Sequence, residues 1–124
     1  MDRIYRPLQE YADQGISEIL KSEDRDLLLQ LPLSVGEYHS NWKFSQDICV
    51  KLSKHEDPAI RANAILGLAY IARTKGKLEK RVVKPIILKE LRENKEYEGR
   101  VNDSIDDINL FMKWKIGKNS RDKN

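Results

Sequence analysis

One apolar pattern occurs twice in this chain, about 40 residues apart, and it leaves few architectures open. In its first copy Phe44, Ile48 and Leu52 form a stripe at helical spacing, with Cys49 beside them. Ile60, Ala64, Gly67, Leu68 and Ile71 form a second stripe. Val83, Ile87 and Leu91 repeat the first at an offset of 39, and Val101, Ile105, Ile108 and Met112 repeat the second at an offset of 41. Asp57-Pro58 offers an N-cap followed by proline at the first helical position, and Gly76 supplies a stop. The turn His55-Glu56-Asp57 has a longer counterpart around Asn94–Glu98, which accounts for the difference in offset. A unit of two antiparallel helices that recurs in order buries its apolar faces against neighbouring units. Strand signals are nearly absent, with no long alternating stretch and no Asn-Gly or Asp-Gly turn. The expected fold is all-α, a right-handed α-α superhelix of about three stacked helical hairpins.

The first third fits this scheme more loosely. Leu27, Leu28, Leu31, Val35 and Tyr38 predict a helix that starts after Ser22, whose hydroxyl caps an acidic first turn, with a kink at Pro32. Ile4–Tyr11 is expected to be its partner helix, broken at Gly15, with Ile16, Ile19 and Leu20 folding back as a cap. Residues 1–116 then form a single domain and residues 117–124 a flexible basic tail.

Composition narrows the setting. The 124 residues are enough for one continuous core. The longest apolar run, Ala62–Ala72, has eleven residues, with Asn63 its one strongly polar side chain. A bilayer span needs roughly 20, so no membrane segment is expected. The N-terminal Met1–Pro7 has no apolar stretch to act as a signal. The single cysteine excludes an internal disulfide framework and a cysteine-rich zinc site. These features together point to a cytoplasmic protein. The net charge of +3 is unevenly spread: Arg73–Lys84 carries six bases against Glu79, and Glu90–Asp107 carries seven acids against three bases.

The string Asp57-Pro58-Ala59-Ile60-Arg61-Ala62-Asn63-Ala64-Ile65-Leu66-Gly67-Leu68-Ala69 resembles the second helix of a HEAT repeat. The likeness is weaker over Val101–Met112, where Asn102 takes the place of Arg61. The wider stretch from Trp42 to Trp114 looks like a group of small bacterial HEAT-like proteins, which include immunity proteins encoded beside polymorphic toxins and contact-dependent growth inhibition systems. The matching features are Trp42, Asn63-Ala64-Ile65-Leu66-Gly67 and Asp103-Ser104-Ile105-Asp106-Asp107-Ile108. The resemblance implies a HEAT-like array whose partner is a cognate toxin domain, a role that requires no chemistry of the chain itself.

Helical geometry selects a candidate surface. With Val101, Ile105, Ile108 and Met112 buried, Asp103, Asp107, Leu110 and Trp114 fall on the opposite side, with Asp106 beside them. The corresponding positions of the earlier helix are Ala62, Leu66, Ala69 and Arg73, with Tyr70 on the flank. Leu66, Tyr70, Arg73, Asp103, Asp106, Asp107, Leu110 and Trp114 are therefore the candidate partner-binding residues. An alternative leaves Leu66, Leu110 and Trp114 sealing the contact between hairpins. The carboxylates themselves have three readings: a solvated face, pairing with Arg61, or binding a basic partner.

No constellation favours catalysis. Asp103 and Asp107 share a helix face, but neither His39 nor His55 lies near them in sequence, and Cys49 sits in an apolar stripe. No glycine-rich phosphate loop or nucleotide fingerprint is present. We therefore expect a non-enzyme with no metal and no cofactor, and a protein partner in preference to nucleic acid, a small molecule or a membrane. If the toxin is a nuclease, the acidic ridge would stand in for phosphates in its groove. The rival reading is a nucleic-acid-associated HEAT-like module gripping phosphates through Arg73–Lys84, or a general interaction scaffold. In that segment no aromatic residue interleaves with the bases, and Val82, Val83, Ile86 and Ile87 are expected in the core stripe.

Overall fold

The computed structural model describes residues 8–117. These residues form six α-helices and no strand: α1 (Asp13–Ser22), α2 (Arg25–Tyr38), α3 (Trp42–Leu52), α4 (Pro58–Lys75), α5 (Lys80–Glu93) and α6 (Glu98–Met112). They pair in chain order as three hairpins. The second helices stack side by side, with α4 between α2 and α6. Helix α3 packs across α2 and α4, while α5 packs on α6 and α4.

Helix α4 shows how local sequence sets this arrangement. Asp57 caps it, its Oδ1 accepting the Ala59 N–H at 2.9 Å, and Pro58 occupies the first turn. Gly76 ends it in the left-handed region at φ +66°, its N–H donating to the Ile71 and Ala72 carbonyls. Between these ends lies an alanine-rich helix buried on most of its circumference, as its central position requires. Asn63 is tolerated inside because both ends of its amide are used. Its Nδ2 donates to the Leu29 carbonyl at 2.8 Å, and its Oδ1 accepts from Arg100 Nη1 at 2.7 Å. One side chain thus joins α2, α4 and the start of α6.

The repeated core appears as read. Ile48, Leu52, Ile60, Ala64, Ile71, Val83, Ile87, Val101, Ile105 and Ile108 are all buried, and Cys49 is enclosed among them. Val82 is a correction: it is 39% exposed, because α5 turns only one side to the core.

The N-terminal expectations need more correction. Residues 8–12 are not helical, and Ile4–Pro7 lie outside the described residues. Gly15 sits inside α1 and does not break it. Burial of Ile16 and Ile19 outweighs the roughly 1 kcal/mol a helical glycine costs. Ser22 closes α1, its hydroxyl donating to the Ile19 carbonyl, and the N-cap of α2 is Asp24, which accepts the Leu27 N–H at 3.1 Å. Pro32 lies within α2 without ending it. At the other end Gly117, expected in the tail, is buried, and residues 118–124 lie outside the described residues.

Asp57 does a second job. Arg25 Nε, in the first turn of α2, donates to its Oδ2 at 2.6 Å. That hydrogen bond holds the Asp57 carboxyl below its usual range. A carboxyl depressed in the folded state contributes stability that is complete above its unfolded pKa of about 3.9 and is lost as pH falls through the lower folded value. Asp57→Asn keeps a capping oxygen but removes the charge, so thermal unfolding below about pH 4 should fall less steeply for this variant than for the parent. Asp57→Ala should cost about 1 kcal/mol at neutral pH through the lost cap.

Candidate functional site

The α6 surface forms as the helical spacing requires. Val101, Ser104, Ile105 and Ile108 are buried, and Asp103, Asp106, Asp107 and Leu110 are exposed on the far side. Leu110 is 66% exposed, the most of any large apolar residue among those described. Asp103 and Asp107 have no ion-pair partner among the described residues. The fourth expected member of this stripe leaves it. Helix α6 ends at Met112, Lys113 adopts a left-handed φ of +60°, and the chain turns back. Trp114 therefore packs half-buried against the core, with Lys80 Nζ 5.4 Å from its ring centroid. Its place on the surface is taken by Phe111, 42% exposed, which the sequence reading passed over. The signal was available, since Phe111 stands four residues beyond Asp107.

On α4 the equivalent ridge is narrow. Ala62 and Ala69 are buried, because the neighbouring second helices close over them. Leu66 and Tyr70 are half-buried and Arg73 is exposed. Arg73 pairs with Glu37 of α2, and its guanidinium lies 4.7 Å over the Tyr70 ring. Leu66, Tyr70 and Arg73 thus form a braced strip, with Arg73 linking it to α2 through Glu37.

Arg61 does not pair with the α6 carboxylates. Its Nε lies 3.2 Å from Oε2 of Glu90, a residue only 1% exposed. Asn94 Nδ2 donates to the same carboxylate at 3.0 Å and to the Pro58 carbonyl at 2.9 Å. Glu90 lies three residues past Ile87 on the buried side of α5, the one acid of its run that the apolar stripe encloses. A second polar clamp joins α3 to the entrance of α5. Buried Gln46 donates to Glu79 Oε1 at 2.7 Å and accepts the Glu79 N–H at 2.8 Å.

Of the bases between Arg73 and Lys84, Arg73 is paired with Glu37 and Lys80 covers Trp114. Lys75, Lys77, Arg81 and Lys84 are exposed and spread around the α4–α5 turn and the first half of α5.

Chemistry has little to work with. Among the described residues no three of His, Cys, Asp and Glu converge as metal ligands. Burial pushes the Cys49 thiol well above its ordinary range, which disfavours the thiolate a nucleophile needs. His55 Nδ1 accepts the Asp57 N–H at 3.0 Å, and His39 pairs with Asp13 at 2.7 Å while stacking on Phe44. Two small clefts, of about 220 and 320 Å³, lie around α1 and the ends of α2 and α3, and neither brings a nucleophile to a base. No helix of the described residues is long and apolar enough to cross a membrane.

No family model matches the sequence, and no curated protein matches it. The fold is similar to that of a chain in the crystal structure of a CDI complex from Cupriavidus taiwanensis LMG 19424. The two align with a TM-score of 0.75 at 17% identity, over 89% of this chain and 98% of that one. At this identity the likeness is one of fold.

Proposed function

We propose that this chain is an immunity protein of the contact-dependent growth inhibition type, a small HEAT-like array that binds and neutralises a cognate toxin domain. The observation that carries this reading is the fold shared, over nearly its full length, with a chain of a CDI complex. The partner-binding surface is the α6 face of Asp103, Asp106, Asp107 and Leu110, flanked by the strip of Leu66, Tyr70 and Arg73. The toxin is of the nuclease class, and the acidic face occludes its basic substrate groove, taking the place of phosphates. The action is that of a plug and requires no turnover.

Electrostatics favour α6 for this task. Asp103 and Asp107, exposed and without an ion-pair partner among the described residues, carry no pairing to be broken on docking, and they steer a basic surface toward them. The HEAT-like module that holds nucleic acid is the rival, and it would use Lys77, Arg81 and Lys84.

The test uses the toxin domain encoded beside this gene. Co-expression should rescue cells from that toxin, and the purified pair should form a complex measurable by calorimetry. Asp107→Lys should weaken that complex by about 2 kcal/mol, within the range found when interface charge pairs are disrupted, and raising salt should slow association more than it speeds dissociation. An absence of rescue and of complex formation overturns the reading. Retention of an oligonucleotide at physiological salt, lost on reversing Lys77, Arg81 and Lys84, would favour the rival.

A further inference from the structure

The α6 face holds more than charge. Leu110 and Phe111 stand three and four residues beyond Asp107, the two positions one turn along that share its side of the helix, and Asp103 stands one turn before it. Single apolar side chains at a surface need no explanation. Two adjacent ones, both large and both exposed, bordered by two unpaired carboxylates, form a patch of definite chemistry.

That patch sits on a helix end that is already fixed. Asn109 brackets the returning chain, its Nδ2 donating to the Ile116 carbonyl and its Oδ1 accepting the Ile116 N–H, each at 2.9 Å. The Trp114 N–H donates to the Asn109 carbonyl at 3.1 Å, and Ile116 is buried. A contact presented from so braced a backbone loses little entropy on docking.

Charge on this face is local to its helix. Helix α6 carries four acids and one base, a net of −3, whereas its neighbour α4 carries three bases and no acid. The exposed apolar pair therefore lies on an acidic helix, and a cationic surface is its complement.

Along α6 the order is acid, acid, aromatic. Asp103, Asp107 and Phe111 follow one another at intervals of four residues, a rise of about 6 Å each, which is comparable to the step between neighbouring phosphates of one strand. Grooves that hold a single strand combine a basic track with surfaces on which bases stack. Resting on the toxin-binding reading above, we infer that Leu110 and Phe111 anchor the interface by entering an apolar slot bordered by lysine or arginine on a single-strand-binding toxin domain. Asp103 and Asp107 occupy the places of successive phosphates, and the Phe111 ring occupies that of a stacked base.

The experiment uses the full chain, the toxin domain encoded beside its gene, and a fluorescent single-stranded oligonucleotide as competitor. Phe111→Ala should weaken the complex by at least about 30-fold, the equivalent of a hot-spot residue. Val82→Ala, at an exposed apolar residue of α5 outside this face, should leave affinity within about threefold of the parent. The parent chain should displace the oligonucleotide from the toxin domain, and Phe111→Ala should need correspondingly higher concentrations. Circular dichroism should be unchanged in each variant, since the altered side chains are exposed. If Phe111→Ala and Leu110→Ala both bind as the parent does, the anchor is wrong while the toxin-binding reading stands. A ternary complex that keeps the oligonucleotide overturns the mimicry. Failure of the parent chain to bind the toxin domain at all overturns the underlying reading, and this inference with it.

Discussion

Replacing Arg61 with methionine should lower the unfolding free energy by about 3–5 kcal/mol, the cost of breaking a buried ion pair from one side. Glu90 is the reason. Its carboxylate is 1% exposed, and its charged partner is the Arg61 guanidinium, with Asn94 contributing one neutral donor. Methionine fills much of the space of the arginine stem but leaves that carboxylate buried without a counter-charge. Arg61 also donates through Nη1 to the His55 and Glu56 carbonyls at 2.9 Å each, so the turn entering α4 loosens with the same change. The double variant Arg61→Met/Glu90→Leu separates these effects. It removes both charges, and because apolar replacement of a complete buried pair is often neutral, it should recover most of the loss. What it fails to recover measures the two turn hydrogen bonds together with the lost Asn94 bond to Glu90. Urea unfolding of the parent, both single variants and the double variant gives the coupling directly. A single-variant cost below about 1 kcal/mol would mean that water reaches Glu90 and that the pair does not hold the second and third hairpins together.

The parts of this molecule that could be read in advance are those where local chemistry and packing agree. Asp57-Pro58 and Gly76 bound α4 because capping is decided within a few residues. The stripes offset by 39 and 41 became two matching hairpins because each apolar face had a neighbour to cover it. The first hairpin was misread where competing local signals were nearly balanced. Ser22 and Asp24 are both good capping residues, and only packing decides that Ser22 closes one helix while Asp24 opens the next. Glu90 was hidden in a different way. A glutamate in an acidic run reads as surface, and its burial depends on an arginine 29 residues earlier arriving at the same place. On α6 the carboxylates were legible from the helical period alone. Trp114 was not, since its position depends on a left-handed residue at Lys113 that no side-chain pattern announces.

The stacking of second helices can be tested at a point where two of them approach closely. Gly67 of α4 faces Pro32 of α2 and Cys49 of α3, and a Cβ placed there would lie 2.7 Å from the Pro32 carbonyl oxygen and 2.7 Å from Cys49 Sγ. Across the same contact, a Cβ on Gly36 would lie 2.8 Å from the Gly67 carbonyl oxygen. These obstacles include backbone, which cannot swing aside as the end of a flexible side chain can. Two terms oppose each other in Gly67→Ala. Alanine gains roughly 1 kcal/mol of helix propensity, whereas overpacking a tight contact costs about 1–3 kcal/mol, so the loss should be modest. Gly67→Val adds two further carbons in the same space and a poorer helix propensity than alanine. It should cost about 3 kcal/mol or more, with α2 forced away from α4. Gly76→Val gives the contrast, because nothing lies within 4 Å of that position and any cost there comes from its φ of +66° alone. Hydrogen exchange distinguishes the two. Gly67→Val should expose amides of α2 and α4 together, while Gly76→Val should loosen only the end of α4. Equal, local effects from both would place the α2–α4 contact outside the part of the structure that holds the array together.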